Sequence, residues 1–419
     1  MKGSTCHEQI QEVLSEGGKS EVMINNKSVK EELYSENQLH IHTIDSLITH
    51  DRVFVGNQTD DFAVAKVLQN SQRILLLGVG YGGALRPLLI GNSSVEITAV
   101  DLNPRSIKIS TLIFDEYFPA FSRKINFIHK DALEYLKEFR DTPFDAICID
   151  LYRKSDYPKF VLTCEFWELI INNLTPKGAV LFNSWGLPQQ LRPLEGGTIQ
   201  QRVAQLICKH FKNVRVLPHR RNITFLAYQH HKLEEPKQKF GYPLRNIDKI
   251  IFQILPHRLK YALEIKLEKL DDKHFRIPNN TTEEIDREMY SRWSHLINVC
   301  NFSLHECGLS SINEISELAY DPLKARILTE YLLVKESDES SLIPVLIGAY
   351  AFEKPKGLEW YLQWMTEDAE KLMKLNAEWF INTALWQLLA MTANPYAHFE
   401  HWADDIQQLV TKLNLTNPM

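Results

Sequence analysis

Three aspartates and a glycine turn are placed where a nucleoside ligand needs them. Residues 73 to 101 read RILLLGVGYGGALRPLLIGNSSVEITAVD. The apolar run Ile74 to Leu77 stops at Gly78-Val79-Gly80-Tyr81-Gly82-Gly83. Ala84 to Leu89 has helical character, and a second apolar run, Val95 to Val100, ends on Asp101. The pattern predicts strand, glycine turn, helix, strand. Glycines lack Cβ and let a turn pass close to a ligand. Amides at the start of the following helix then face that ligand. A carboxylate about 20 residues further on suits the two hydroxyls of a ribose. Gly78, Gly80 and Gly83 also satisfy GxGxxG, which a dinucleotide enzyme would show. The turn by itself therefore leaves the choice of cofactor open.

The residues that follow narrow the choice. Ile125 to His129 is a strand pattern followed by Lys130-Asp131-Ala132, and Phe144 to Ile149 is an apolar strand that stops on Asp150. Between them, Pro104 to Phe114 and Leu133 to Phe139 have helical spacing. Near-continuous apolar strands alternating with helices predict a parallel sheet covered on both faces. Ligands bind beyond the carboxyl ends of such strands. Asp101, Asp131 and Asp150 should share that rim. A dinucleotide site gives Asp131 and Asp150 no role.

At this point the chain resembles a known family. Its layout is similar to the class I S-adenosylmethionine-dependent transferase fold, and more narrowly to the spermidine synthase (polyamine aminopropyltransferase) branch. GVGYGGALR parallels that family's GGGDGGxxRE, AVDLNPRSI its VEIDxxVV, KDALEYL its GDAxxFL and FDAICIDLY its YDVIIxDxxDP. Leu162 to Ile170 parallels LFTxEFYxxL, and Thr59-Asp60-Asp61-Phe62 echoes DEFxYxE. The resemblance spans roughly residues 50 to 230.

The resemblance implies roles. S-adenosylmethionine or its decarboxylated form would be co-substrate, with contacts from Gly78, Gly80, Tyr81, Gly82, Gly83, Asp101, Leu102, Asp131, Ala132 and Asp150. Asp101 would hold the ribose, and Asp131 with Ala132 the adenine. Asp150, with Tyr152 beside it, would serve the attacking nucleophile. Two departures stand out. The family's acid within the turn is Tyr81 here, and its YxE is Val64-Ala65-Lys66. The loop after Asp150 also carries two cations, Arg153 and Lys154. These departures point to an acceptor other than putrescine: a modified peptide, a nucleotide or a polyamine-like metabolite. Methyl transfer by the same core is the alternative. A non-catalytic nucleoside-binding protein is a second one.

Around this core the sequence predicts an α/β, Rossmann-like, mostly parallel sheet over residues 59–230, with helices on both faces. A small, partly β subdomain is expected over 1–58 and an all-α region over 231–419. In the first segment, Gln9 to Leu14 reads as a helix and Glu21 to Ile24, Leu39 to Ile44 and Arg52 to Val55 as short strands. Asp61 to Leu68 reads as a helix with Asp60 as its N-cap, and both acids are candidates to border the cleft. In the core, Leu174 to Gly178 reads as a turn into a strand at Ala179 to Phe182, and Gln200 to Phe211 as a helix. Asn213 to Leu217 and Asn222 to Tyr228 read as an antiparallel pair around His219-Arg220-Arg221. Beyond residue 245, helices are expected at Ile247 to Ile254, Leu259 to Leu270, Thr282 to Cys300, Ile312 to Leu318, Leu323 to Val334 and Leu342 to Phe352. Trp360, Trp364, Leu372, Leu375, Trp379, Trp386 and Leu389 recur at helical spacing and should pack that region.

Composition sets the remaining bounds. A net charge of -6 gives no general attraction to nucleic acid or anionic membrane. The cysteines, at 6, 148, 164, 208, 300 and 307, form no CxxC, so neither a metal site nor a disulfide framework is expected. Cys148 should be a buried thiol. The polar start MKGSTCHEQIQEVL lacks a signal-peptide core, which predicts a cytoplasmic setting. A homo-oligomer or protein partner would use the helical region.

Overall fold

Apolar runs that end at glycine or aspartate become central strands of one eight-stranded sheet. The computed structural model describes residues 6–15, 52–69, 71–90, 95–152, 157–185, 199–219, 222–229, 245–264, 281–335, 355–394 and 400–416. The strands are β1 (Arg73–Leu77), β2 (Glu96–Asp101), β3 (Ile125–His129), β4 (Phe144–Ile149), β5 (Leu174–Trp185), β6 (Asn213–His219), β7 (Asn222–Tyr228) and β8 (Leu263–Glu264). Their order is β3-β2-β1-β4-β5-β7-β6-β8. β1 to β5 run parallel, and β7, β6 and β8 continue the sheet antiparallel. The chain moves outward from β1 to β3, then returns to the other side of β1 at β4. That reversal lies between β1 and β4, where open α/β sheets place their ligands.

Strand residues alternate between two apolar layers. Ile74, Leu76, Ala146, Cys148 and Leu226 face one cluster, which includes helix Pro104–Tyr117 and the helices beyond residue 245. Leu75, Leu77, Ile147, Ile149 and Phe225 face the other, closed by helices Cys164–Asn172 and Ile199–His210. Both faces are covered, as a parallel sheet requires. This is the α/β architecture expected. Beyond residue 245 every described element is helical except the two-residue β8. Trp364, Leu372, Trp379, Trp386 and Leu389 are buried there, as core packing predicts, whereas Trp360 is half-buried and Leu375 is 40% exposed.

Several local expectations need correction. Helix Cys6–Ser15 forms where a helix was expected, but residues 52–55 form no strand. Carboxylates take the amides a strand would have used: Phe54 N donates to Asp248 Oδ1 at 3.3 Å, and Val55 and Gly56 N donate to Asp60 Oδ2 at 3.1 and 2.7 Å. Asp60 therefore secures this loop instead of capping a helix. The helix expected from Asp61 is a 3-10 turn, Gln58–Ala63, followed by helix Val64–Gln69. Leu174 to Gly178 is already strand. Helix Asn246–Lys260 ends before β8, so the helix expected to run on from Leu259 is interrupted at 261–264, and its remainder, 265–270, lies outside the described residues. The 3-10 helix Ile315–Tyr320 replaces the α-helix expected near Ile312. The expected strands at 21–24 and 39–44 and the expected helix at 342–352 lie outside the described residues, as do Arg153, Lys154, Arg220 and Arg221.

Candidate active site

β1 and β4 are in register, Leu77 beside Ile149, so Gly78 and Asp150 leave the sheet side by side. Asp150 N donates to Leu77 O at 2.8 Å, and Gly78 N to Val100 O at 2.9 Å. Gly78 has φ +87°, and a Cβ there would lie 2.1 Å from the carbonyl oxygen of Asp150. Only glycine fits such a contact. Gly80 (φ +52°) differs, because a Cβ on it would meet nothing within 4 Å. The turn is thus closed toward Asp150 and open above Gly80.

Asp101 ends β2 and reaches back to the turn. Its Oδ2 accepts from Val79 N at 2.8 Å and Gly80 N at 3.1 Å, and its Oδ1 accepts from Asn103 N at 2.7 Å. Burial raises the pKa of this carboxyl, and the three amides offset only part of that rise. A carboxylate offers about four acceptor directions, so three amides leave room for a hydroxyl. Next to it, Leu102 is 53% exposed, an apolar side chain on a polar rim. His129 Nε2 meets Leu102 O at 3.0 Å and steadies that loop.

Asp131 and Ala132 follow β3. Asp131 is the N-cap of helix Ala132–Glu138, its Oδ1 accepting from Leu133 N at 2.9 Å and Glu134 N at 3.2 Å. Ala132 is buried. Tyr81 is only 3% exposed and belongs to the apolar cluster that contains Phe114, so the turn presents main chain there. A Cβ on Gly82 (φ +87°) would lie 2.9 Å from the Phe114 ring, whereas one on Gly83 would meet nothing within 4 Å.

Asp150 is partly buried and lies in a polar cluster of which the sequence singled out Tyr152 but not Asn183, Ser184 or Asn222. Asn183 Nδ2 donates to Asp150 Oδ1 at 2.8 Å. Asn222 Nδ2 donates to Asn183 Oδ1 at 3.1 Å. The Tyr152 hydroxyl donates to Asn183 O at 2.9 Å, and the Tyr157 hydroxyl to Ser184 Oγ at 3.1 Å. The two tyrosine rings lie 5.3 Å apart. Burial holds the Tyr152 phenol well above its ordinary pKa, with Tyr157 and Asp150 adding to the effect. Cys148 is a buried free thiol whose pKa burial also raises. One available signal was the polar pair Asn183-Ser184, which interrupts an otherwise apolar strand at the same rim.

Asp61 does not stand open to the cleft. It is fully buried and accepts from Thr224 Oγ1 at 3.0 Å and Arg258 Nε at 2.9 Å. Among the described residues no group of histidines, cysteines and acids could hold a metal ion. No helix of the described residues is long and apolar enough to cross a membrane.

Fold and site together define a Rossmann-like core with a glycine turn and acids along its carboxyl rim. In sequence the chain is similar to curated polyamine aminopropyltransferases. It is 24% identical to polyamine aminopropyltransferase 2 of Caldanaerobacter subterraneus over 117 residues, 28% of this chain and 39% of that protein. It is 31% identical to the enzyme of Sulfurisphaera tokodaii over 105 residues, 24% of this chain and 35% of that protein. The chain thus spans well under half the length of these relatives. Among solved structures, a spermidine synthase in complex with the transition state analogue AdoDATO aligns with a TM-score of 0.36 at 17% identity. That alignment covers 57% of this chain and 75% of the other. No protein-family model matches the chain.

Proposed function

We propose that the protein is a transferase that moves an aminopropyl or 3-amino-3-carboxypropyl group. The donor is decarboxylated S-adenosylmethionine or S-adenosylmethionine, and the acceptor is a specialised small molecule, peptide or nucleotide. The observation that carries this reading is the order of groups along one rim. Asp131 follows β3, Asp101 ends β2, the glycine turn follows β1, and Asp150 follows β4. Adjacent strands are roughly 4.8 Å apart, so Asp101 and Asp150 are separated by about 10 Å. The donor has the same sequence of parts: base, ribose, then the sulfonium carbon. The likeness to aminopropyltransferases supports the same reading.

The chemistry is an in-line displacement. The nucleophile's lone pair forms a bond to the carbon beside sulfur. The C–S bond breaks, and its electron pair neutralises the sulfonium as a thioether. Asp150 takes the nucleophile's proton, directly or through water. Since the sulfonium already leaves readily, the protein's main contributions are alignment and proton removal. Tyr81, in the place of the family's acid, removes a carboxylate from the turn, and this favours a donor or acceptor other than those of spermidine synthesis.

Asp150→Asn keeps the shape of the side chain and removes the base. It should abolish transfer while calorimetry shows the adenosyl donor still binding. Unchanged turnover in that variant would reject the assigned role.

A further inference from the structure

The hydrogen bonds around Asp150 have a defined polarity. Asn183 is fully buried on β5, and its amide lies between two partners. Its Nδ2 donates to Asp150 Oδ1, and its Oδ1 accepts from Asn222 Nδ2. An amide has one donating and one accepting end, and an ionised carboxylate only accepts. Asn183 must therefore turn its NH2 to Asp150, and its carbonyl is left for a donor. Asn222 is that donor. It pairs with Trp185 across the β5–β7 ladder, two residues beyond Asn183. The Tyr152 hydroxyl fixes the main-chain carbonyl of Asn183.

We infer that Asn222 and Asn183 form a polarity relay that positions Asp150: Asn222 sets which end of the Asn183 amide faces the carboxylate. The inference deepens the proposed function and rests on Asp150 as the proton acceptor. Donation to Oδ1 favours the ionised carboxylate. Neither asparagine is a catalytic residue. Both act through Asp150.

Among the described residues, the other titratable groups near Asp150 are Cys148, Tyr152, Tyr157 and His219, with the Asp61–Arg258 pair further off. Cys148 on its own strand and Tyr152 on the following loop are kept neutral by burial. Tyr157 packs against Tyr152. His219 on β6 pairs with Asn222 in the ladder. The charges of Asp61 and Arg258 compensate each other behind Thr224.

The test compares Asn183→Ala, Asn222→Ala and Asn222→Asp with the parent protein. The readout is the titration of the Asp150 side-chain carboxyl by carbon-13 NMR, located by its disappearance in Asp150→Asn. Asn183→Ala removes the donor and should move the titration upward by about one pH unit. Asn222→Ala should move it by less than half as much. Asn222→Asp offers only acceptors, so it should compete with Asp150 for the Asn183 NH2 and move the titration at least as far as Asn183→Ala, a movement that should persist at high salt, where the added charge is screened. The acid limb of the pH–rate profile should follow in the same order. A purely structural role would lower stability without moving the titration. An unmoved titration in Asn183→Ala overturns the inference, and so does Asn222→Asp titrating like Asn222→Ala. Absence of transfer in the parent protein would count against the proposed function instead, and the NMR titration would still decide the relay.

Discussion

A Cβ on Gly78 would stand 2.1 Å from the carbonyl oxygen of Asp150, so the glycine turn and the candidate base are packed against each other. Gly78→Ala also forces a side chain into φ +87°. It should cost at least ten-fold in turnover or prevent folding. Gly83→Ala meets open space and should leave thermal stability within about 0.5 kcal/mol of the parent. Chemical denaturation and turnover of the two variants check this contrast, which equal effects would refute.

Arg258 and Asp61 form a fully buried ion pair across 197 positions of sequence. Arg258 also donates to Pro218 O and Asn382 O, each at 3.1 Å, and its guanidinium lies 4.0 Å from the centre of the Trp386 ring. Asn382 lies in a π-helical segment, Phe380–Leu385, within the C-terminal helices. Removing one partner strands the other charge, so Arg258→Met should lose about 3–5 kcal/mol in chemical denaturation. The double variant Asp61→Leu, Arg258→Met should recover more than half of that loss. A double variant as unstable as the single one would contradict the pairing.

These two relationships divide what was legible in the sequence from what was not. The turn at Gly78 and the acids at 101, 131 and 150 are local signals, because in a parallel sheet the end of a strand marks the ligand rim. The Arg258–Asp61 pair has no local signal, since its members meet only once the C-terminal helices dock on the sheet. Val53, Phe54 and Val55 have strand propensity, yet they form a loop because Asp60 and the distant Asp248 take their amides. Asn222 was placed on its strand correctly, whereas Asn183 was expected just past the end of one. Their hydrogen bond depended on the β5–β7 register, which spacing does not reveal.

Lys66 is buried on the side of the sheet that holds Cys148, and its ammonium donates to Ser71 O at 3.1 Å. Burial lowers its pKa from 10.5 to about 8, with Cys148 and Asp145 opposing the shift. A lowered lysine pKa means the folded state holds its proton less tightly than the unfolded chain. The penalty is fully present below about pH 8 and is relieved as pH rises toward 10.5. The melting temperature of the parent protein should therefore gain on that of Lys66→Met between pH 7 and pH 10. A constant gap would show that Lys66 titrates normally.

Asp101 ties the turn to β2 and is assigned to the ribose. Asp101→Ala should weaken every adenosyl ligand by roughly 10- to 100-fold, the range for a charged hydrogen bond. Calorimetry with the donor and with the nucleoside by-product measures this. Equal affinity would remove the ribose assignment.

The central claim concerns which bond to sulfur breaks, and the nucleoside left behind records it. The protein would be incubated with S-adenosylmethionine or its decarboxylated form and an extract of small molecules, with Asp150→Asn as control, and the nucleosides read by mass spectrometry. The account predicts methylthioadenosine above both the no-protein and the Asp150→Asn controls. S-adenosylhomocysteine in its place would make the reaction a methyl transfer, and the absence of either nucleoside would contradict a transferase altogether.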